Sequence, residues 1–425
     1  MEGRTHIIGA GLAGLACAVR LAGAGQSVTL HEATAHAGGR CRSYRDPVLD
    51  CEIDNGNHLI LSGNRAMLAY LAECGAADEL WGPAEATFPF RDIATNEHWA
   101  LRPNGGRLPW WLCAPARRAP DGGLFDHLGA LTRLRGASAD DTVEGILGGN
   151  PLYARLWRPL AVSILNTMAD EASALLLWRT MEESLALGGA ACRPLFPRQG
   201  LGQTFVDLAL TTLEELGAEV RFNTRLRGIK REGYHARALK FADGDQPLDR
   251  GDSVVLALPP DAAARLLPDL PALTAPWEFH PILNAHFKLG EEIELPGGQP
   301  FLGVTGGEWV DWIFVRGDML SVTLSAAGER TGETAEDIAP AVWREVLAAL
   351  DIANLPLPPC RIVKEQRATI AQTPAQAARR QAATAPGGNI LLAGDWTDTG
   401  LPCTIEGAIR SGHAAAALAA AGGSE

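Results

Sequence analysis

Four side chains near the two ends of the chain are candidates for moving a proton. Asp54 and His58 belong to the segment DCEIDNGNH, and Asp398 and Glu406 belong to the segment GDWTDTGLPCTIEGA. A carboxyl or imidazole group held beside a reacting bond can protonate a leaving group or accept a proton. A structural hydrogen-bonding role explains each of the four equally well, so the sequence leaves the choice of proton donor open.

The N-terminal residues predict a β-α-β unit that binds a dinucleotide. The strand THII leads into GAGLAG, a helical apolar pattern follows, and the strand SVTL comes next. Gly9 permits a tight turn, Gly11 lets the backbone approach a pyrophosphate, and Gly14 lets the helix pack closely on the strand. The helix N-terminus adds partial positive charge for the phosphates. Glu32, at the end of the second strand, is placed to accept hydrogen bonds from an adenosine ribose.

Two further segments extend this predicted site. Gly38-Gly39-Arg40 follows the β-α-β unit, and a plain NAD-binding fold does not need it. Its glycines permit a second close approach of backbone to ligand, and Arg40 offers a fixed cation to a phosphate. The later strand EVRFN makes Val220 the expected adenine contact, with ordinary core packing as an equal alternative.

The C-terminal segment predicts contacts with a flavin. The buried-strand pattern NILLA ends in Gly394-Asp395, and the carboxylate of Asp395 can bind a ribityl hydroxyl. The helix that begins near Thr404 is expected to stabilise negative charge on a reduced flavin.

Together these segments predict an α/β fold, a Rossmann-type FAD-binding domain with an inserted α+β substrate or cap domain. The FAD-binding domain is expected to be discontinuous, formed by residues 1–82, 190–262 and 376–425. Residues 83–189 and 263–375 are expected to form the cap.

Composition narrows the class of protein. A chain of 425 residues predicts two or three compact units, and a net charge of −13 disfavours nucleic acid as a partner. The eight cysteines are widely spaced, which predicts a reduced compartment and no metal site. No apolar window reaches about 18 uncharged residues, so we expect a cytoplasmic protein that is soluble or peripheral to the membrane.

The chain resembles the large FAD-dependent family that contains amine oxidases and phytoene desaturases. The resemblance rests on GAGLAG, GGR, the acidic residue between them and the C-terminal GDW and TIEGA. DNGNHLILSGN, LNTMADEASALLLWRTMEESL, PRQGLGQTF and GDWTDTGLPCTIEGAIRSG are similar to the hydroxysqualene dehydroxylases of this family. Motifs and resemblance predict FAD as the cofactor, held by Gly9, Gly11, Leu12, Ala13, Gly14, Glu32, Ala33, Gly38, Gly39, Arg40, Gly56, Asn57, His58, Val220, Gly394, Asp395, Thr404, Ile405 and Ala408.

The resemblance implies reductive removal of the hydroxyl group of hydroxysqualene, giving squalene on the way to hopanoids. Reduced FAD carries a hydride at N5, and an allylic alcohol loses water once its oxygen is protonated. The expected partner is a C30 isoprenoid held in a dry apolar channel. A phytoene-type desaturase, which transfers hydride in the opposite direction, is one alternative. A non-catalytic lipid-binding protein of the same fold is another.

Two departures from the amine oxidases disfavour an amine substrate. Those enzymes usually place an aromatic residue before the tripeptide that here reads Ile405-Glu406-Gly407, whereas this chain has Thr404. They also use a lysine bridged by water to the flavin. Lys288 is the nearest candidate by position, although an ordinary surface lysine is the preferred interpretation.

Residues 101–136 predict contact with a membrane. Six arginines oppose two aspartates there, a net charge of +4, and the segment also contains Trp110 and Trp111. Indole rings and cations suit the interface of an anionic bilayer, so we expect docking on the inner face of the cytoplasmic membrane. Ordinary core packing of the tryptophans is an equal alternative.

Overall fold

The computed structural model describes residues 3–383 and 388–422. This part of the chain contains twenty β-strands and twelve α-helices. The strands are β1 Thr5–Ile8, β2 Val28–His31, β3 Ser43–Asp46, β4 Cys51–Asp54, β5 Ile60–Leu61, β6 Leu80–Trp81, β7 Phe88–Asp92, β8 Glu97–Leu101, β9 Pro194–Pro197, β10 Glu219–Arg221, β11 Gly228–Glu232, β12 His235–Lys240, β13 Asp245–Pro247, β14 Ser253–Leu256, β15 Phe279–Lys288, β16 Phe301–Thr305, β17 Trp312–Arg316, β18 Met319–Leu324, β19 Cys360–Ile370 and β20 Ile390–Leu392. The helices are α1 Leu12–Gly23, α2 Arg65–Glu73, α3 Leu124–Arg135, α4 Val143–Leu147, α5 Arg158–Leu165, α6 Ala174–Glu183, α7 Leu208–Glu215, α8 Pro260–Leu266, α9 Pro271–Thr274, α10 Ala335–Leu350, α11 Pro374–Ala377 and α12 Ile405–Gly422.

A five-stranded parallel sheet has the order β10, β2, β1, β14, β20. Thr5 of β1 lies opposite Val28 on one side and Ser253 on the other. The central strands are almost entirely buried, as expected for parallel strands covered on both faces. This sheet confirms the Rossmann-type fold, and it combines strands from both ends of the chain. The domain boundaries given above stay predictions.

Helices α1 and α12 cross closely on this sheet. A side chain at Gly412 in α12 would overlap the backbone carbonyl of Ala13 in α1. Leu15, Val19 and Ile409 are buried in the core that the two helices share. The alanine-rich composition of α12 therefore suits a helix that packs backbone to backbone.

A seven-stranded mixed sheet supports the cap and has the order β19, β15, β18, β17, β16, β7, β8. Its pairs are antiparallel except for β16 with β7. Helix α10 packs Trp343 against Phe287 of this sheet, with ring centroids 5.0 Å apart. Helices α3 to α6 share another core with Phe301 and Trp312. These elements confirm the expected α+β insertion.

Asn166 joins the helical cap to the seven-stranded sheet. It ends α5 in the left-handed conformation, with φ +48°, which asparagine tolerates well. Its Nδ2 donates hydrogen bonds of 3.0 Å to the carbonyl of His280 and to Thr369 Oγ1, and its Oδ1 accepts one of 2.7 Å from the amide of Ala326. The segment LNTMADEAS therefore holds cap and sheet together.

Helix length and hydropathy indicate whether a helix could cross a membrane. Across residues 3–383 and 388–422, no helix combines the length and the apolar character that crossing a bilayer requires.

Candidate functional site

The loop between β1 and α1 leaves open space in front of Gly11. Gly9 has φ +106°, and a side chain there would overlap the carbonyl of Ala257. A side chain at Gly14 would overlap the carbonyl of Gly9. At Gly11, which caps α1, an added Cβ would meet no atom within 4 Å, and α1 has no side-chain cap. Packing of the protein itself therefore requires Gly9 and Gly14, whereas Gly11 leaves room for a phosphate at the helix N-terminus.

The second glycine pair runs beside this loop. The amide of Gly38 donates a 2.7 Å hydrogen bond to the carbonyl of Ala10, and Gly38 forms a bridge with Gly11. Gly38 and Gly39 have φ of +97° and +58°, where glycine is favoured. The structure thus brings the two glycine-rich segments together.

Glu32 lies beside the same loop. Its Oε2 accepts a hydrogen bond from the amide of Ala10, and its Oε1 accepts one from the amide of Thr34, both 2.9 Å long. Ala33 follows it, and Val220 lies on the neighbouring edge strand β10, opposite Leu30. An adenosine bound over the sheet edge would meet these residues.

Arg40 and Asp395 form an ion pair between the two ends of the chain. Arg40 Nη2 lies 2.7 Å from Asp395 Oδ1, and Arg40 Nη1 donates to the carbonyl of Ala368 in β19. The carboxylate is buried, whereas 45% of the arginine side chain is exposed. The guanidinium of Arg40 carries five N–H donors, and the two hydrogen bonds above do not use all of them, so it can bind a phosphate as well.

The N-terminus of α12 is capped by Thr404, whose Oγ1 accepts a 3.0 Å hydrogen bond from the amide of Gly407. Ile405 and Ala408 pack partly buried against the core of the parallel domain. Gly394 precedes this segment, with φ +150° and its amide bound to Ser411 Oγ. The Sγ of Cys403, just before α12, lies 3.4 Å from the carbonyl oxygen of Asp395, so the positive end of α12 lies near Asp395.

These features fit FAD. The open space at Gly11 and the uncapped α1 suit a pyrophosphate, the Glu32 carboxylate suits a ribose, and the half-exposed Arg40 suits a second anionic group. FAD is the cofactor of this fold, and these residues are the ones that would hold it.

Two of the four candidate proton donors, Glu406 and Asp398, form hydrogen bonds with the protein backbone. Glu406 is 3% exposed and accepts hydrogen bonds from the amides of Ala66 and Met67, at 3.0 and 2.9 Å, and from Arg410. It therefore caps α2 with both carboxylate oxygens. Asp398 is exposed in a turn, where its Oδ1 lies 3.3 Å from the amide of Gly400.

The other two candidates, Asp54 and His58, line a cavity of about 70 Å³. Aromatic and aliphatic side chains form much of its wall, and His286 and Ser321 add polar groups. The complete lining consists of Ile53, Asp54, Asn57, His58, Trp81, Phe196, Pro197, Leu201, His286, Pro300, Phe314, Val315, Arg316, Met319 and Ser321.

Asp54 is held at the end of β4 by partners from three directions. It accepts hydrogen bonds from Ser43 Oγ and from the amide of Leu201, the latter 2.9 Å long, and forms a 3.1 Å ion pair with Arg316. Both of its oxygens are therefore occupied by the protein.

The two cavity histidines favour their neutral forms. Burial lowers the pKa of His58, while the charge of Asp54 opposes this shift and that of Arg40 adds to it. His58 lines the cavity and has no hydrogen-bond partner among the described residues. Burial lowers the pKa of His286 to about 4, again against the charge of Asp54.

His286 and Ser321 were not predicted from the sequence. They lie on different strands, 35 residues apart in the chain, and each strand contains other polar residues, so no local pattern singles them out. Asn57 and Gly56 border the same region, where Asn57 Nδ2 donates a 3.0 Å hydrogen bond to Thr323. Lys288 lies outside the cavity lining, and its Nζ donates to the carbonyl of Leu49 at 3.0 Å.

Fold and glycine loops together define a Rossmann-type FAD-dependent oxidoreductase. The sequence pattern of the family described as flavin containing amine oxidoreductase matches residues 12–420, and the chain belongs to this family. It is 44% identical to hydroxysqualene dehydroxylase of Sinorhizobium fredii, over 99% of each chain. It is also 44% identical to hydroxysqualene dehydroxylase of Rhodopseudomonas palustris, over 100% of each chain.

Solved structures agree on the fold. Cyclohexylamine oxidase from Brevibacterium oxydans is similar with a TM-score of 0.69 over 99% of both chains, at 17% identity. The low identity limits that comparison to the fold.

Proposed function

We propose that the chain removes the hydroxyl group of hydroxysqualene reductively and releases squalene, in squalene and hopanoid biosynthesis. The observation that carries this proposal is the full-length similarity to hydroxysqualene dehydroxylases, 44% identical in two cases. The aromatic and aliphatic side chains that form much of the cavity wall support a hydrocarbon substrate.

The reaction needs one hydride and one proton, and it releases one water. When bound in its reduced form, FAD supplies the hydride that replaces the hydroxyl group. The proton must come from a group at the cavity, where Asp54 already has protein partners on both oxygens. His58 has none, so we assign proton delivery to the leaving hydroxyl to His58.

Anaerobic single-turnover analysis tests the overall reaction. Enzyme reduced with dithionite and mixed with hydroxysqualene is expected to give squalene and oxidised FAD in equal amounts. Loss of absorbance of the oxidised flavin on mixing with a polyene, without any squalene from the alcohol, would instead establish a desaturase.

The pH dependence of single turnover tests the proton donor. The active form is the protonated imidazole, whose pKa lies below its ordinary value of about 6.5, so the rate is expected to begin to fall below that pH and to keep falling as the pH rises above it. His58→Gln is expected to lower the rate by roughly 10²- to 10⁴-fold and to remove this pH dependence. An unchanged pH profile in the variant would exclude His58 as the donor.

We further propose that residues 101–136 bring the protein to the inner leaflet of the cytoplasmic membrane. Leu108, Trp110 and Phe125 expose 80%, 57% and 83% of their surface in this positively charged segment. The Arg117 guanidinium lies 5.0 Å from the centre of the Trp110 ring. Trp111, by contrast, is 3% exposed and belongs to the cap core, so only one of the two tryptophans is free for lipid.

Vesicle sedimentation tests this membrane contact. The Leu108→Ser, Trp110→Ser, Phe125→Ser variant is expected to lose binding to phosphatidylglycerol vesicles. A matched variant with Leu216, Tyr234 and Leu355 changed to Ser removes three apolar side chains that are 44–47% exposed elsewhere, and it should bind normally. Equal binding by wild type and both variants would contradict the proposal.

A further inference from the structure

His286 lines the cavity and carries a buried ring nitrogen without a hydrogen-bond partner among the described residues. Its side chain is 1% exposed, and its Nδ1 lies 2.8 Å from Ser321 Oγ. Its Nε2 is buried and has no hydrogen-bond partner among the described residues. Native proteins rarely leave a buried nitrogen unpaired, so an atom of this kind at a cavity wall indicates a missing ligand group.

The strand register fixes the position of this histidine. β15 and β18 pair antiparallel, and His286 lies directly opposite Ser321. Directly opposed side chains project from the same face of a sheet and approach each other closely. The serine hydroxyl therefore orients the imidazole, and both side chains line the cavity together with Phe314 and Met319.

Burial holds His286 in its neutral form. Burial lowers its pKa to about 4, Arg316 adds to the shift, and Asp54 and Asp46 oppose it. The backbone carbonyl of Asp54 also favours the protonated ring, although it forms no hydrogen bond with Nε2. If the serine hydroxyl donates to Nδ1, the single ring proton resides on Nε2, which is then a hydrogen-bond donor.

We propose that Nε2 of His286 binds the hydroxyl oxygen of the allylic alcohol. This inference rests on the proposed dehydroxylation and adds the group that recognises its substrate. Because His286 and His58 line the same cavity, a hydroxyl group bound to Nε2 would hold the C–O bond near the proton donor. The hydrocarbon product lacks the hydroxyl group and leaves Nε2 unpaired, which favours its release.

Equilibrium binding to the oxidised holoenzyme tests the assignment, because oxidised FAD cannot reduce the alcohol. The oxidised enzyme is titrated with hydroxysqualene and, separately, with squalene, and the change in the flavin spectrum is measured. The wild type is expected to bind the alcohol more tightly. His286→Leu should weaken alcohol binding by roughly 10- to 100-fold, the effect of one buried hydrogen bond, and leave squalene binding unchanged.

Two variants serve as controls. His286→Gln keeps a donor and should recover part of the preference for the alcohol. Leu216→Ser changes an exposed position outside the cavity lining and should keep all of the preference. FAD content and thermal unfolding check that each variant is folded.

Three results would overturn the inference. They are equal affinity of the wild type for both ligands, an equal loss of affinity for both ligands in His286→Leu, and unchanged alcohol binding in that variant. Each of them is independent of the single-turnover assay. Squalene formation by the wild type would then keep the proposed function while the role of His286 is rejected, and absence of squalene would reject the function itself.

Discussion

The glycine loops of the parallel domain and the cavity of the seven-stranded sheet are built in different ways. In the loops, neighbouring residues act through the backbone, and Gly9, Gly11 and Gly14 follow each other within one turn. In the cavity, Asp54 and His286 come from strands more than two hundred residues apart and act through side chains. The glycine loops can therefore be recognised from a short stretch of sequence, whereas the cavity forms only when the strands of the sheet come together.

The largest expected effect comes from Gly14, because its position tolerates no side chain. Gly14→Ala places a Cβ against the carbonyl of Gly9, and neither backbone can move without opening the junction of β1 and α1. We expect a loss of about 3 kcal/mol or more in the free energy of unfolding, the upper end of the range for overpacking. Thermal unfolding of the protein without FAD measures this loss.

Gly11→Ala is the matched control, because its Cβ meets open space and its φ of −74° suits alanine. The variant should unfold like the wild type without FAD but bind FAD roughly 5- to 100-fold more weakly, since the methyl group enters the phosphate space. Equal stability of the two alanine variants would remove the distinction between packing glycines and ligand glycines.

Local spacing explains which features the sequence could predict. GAGLAG, Glu32 and GGR lie within one β-α-β unit and its extension, so the Rossmann-type fold and FAD followed from them. His286 lies in FHPILNAHFK, a largely buried strand whose sequence shows no clear alternation of polar and apolar residues. Its partner Ser321 is set by strand register, which no local pattern reveals. For the same reason, the neighbouring Trp110 and Trp111 looked equivalent, although the short 3₁₀ turn that contains them buries only the second.

Glu406 belongs to the flavin motif in the sequence, but in the structure its carboxylate caps α2. A position in this motif therefore does not by itself indicate a role in catalysis. Glu406→Ala removes the carboxylate that caps α2 and pairs with Arg410. We expect a loss of about 2–3 kcal/mol in the free energy of unfolding, as for hydrogen bonds to a buried charge. The single-turnover rate of FAD-loaded protein should change little. A stable variant with a rate lowered a hundredfold would return Glu406 to the proton donors.

Buried histidines in the parallel sheet predict a stability that depends on pH. His6 Nδ1 and His31 Nε2 lie 3.4 Å apart between β1 and β2, and His31 stacks on Phe241. Burial, with the neighbouring His6 and Arg221, lowers the pKa of His31 to about 4, whereas the unfolded chain takes up this proton near pH 6.5. The contribution of neutral His31 to the free energy of unfolding is therefore complete above about pH 6.5 and is lost as the pH falls towards 4.

The His31 contribution between pH 7 and pH 5 is about 2 kcal/mol. Denaturant unfolding at both values should show that His31→Gln loses less stability on acidification than the wild type by about this amount. Identical pH dependence of the two proteins would assign the acid sensitivity to other buried histidines, such as His286 in the cavity.

Substitution of Asp398 is expected to have the smallest effect, because this residue belongs to the flavin motif in the sequence but lies on the surface of the structure. Its carboxylate is exposed, and among residues 3–383 and 388–422 its only hydrogen bond is a weak one of 3.3 Å from the amide of Gly400. Asp398→Asn keeps that acceptor, so the free energy of unfolding should change by less than about 0.5 kcal/mol, as at other surface positions. The single-turnover rate should stay close to that of the wild type, while His58→Gln in the same assay should be strongly impaired. A loss of activity in Asp398→Asn at normal FAD content would mean that the proton reaches the substrate from the C-terminal segment, and the cavity would then be a binding surface without an acid of its own.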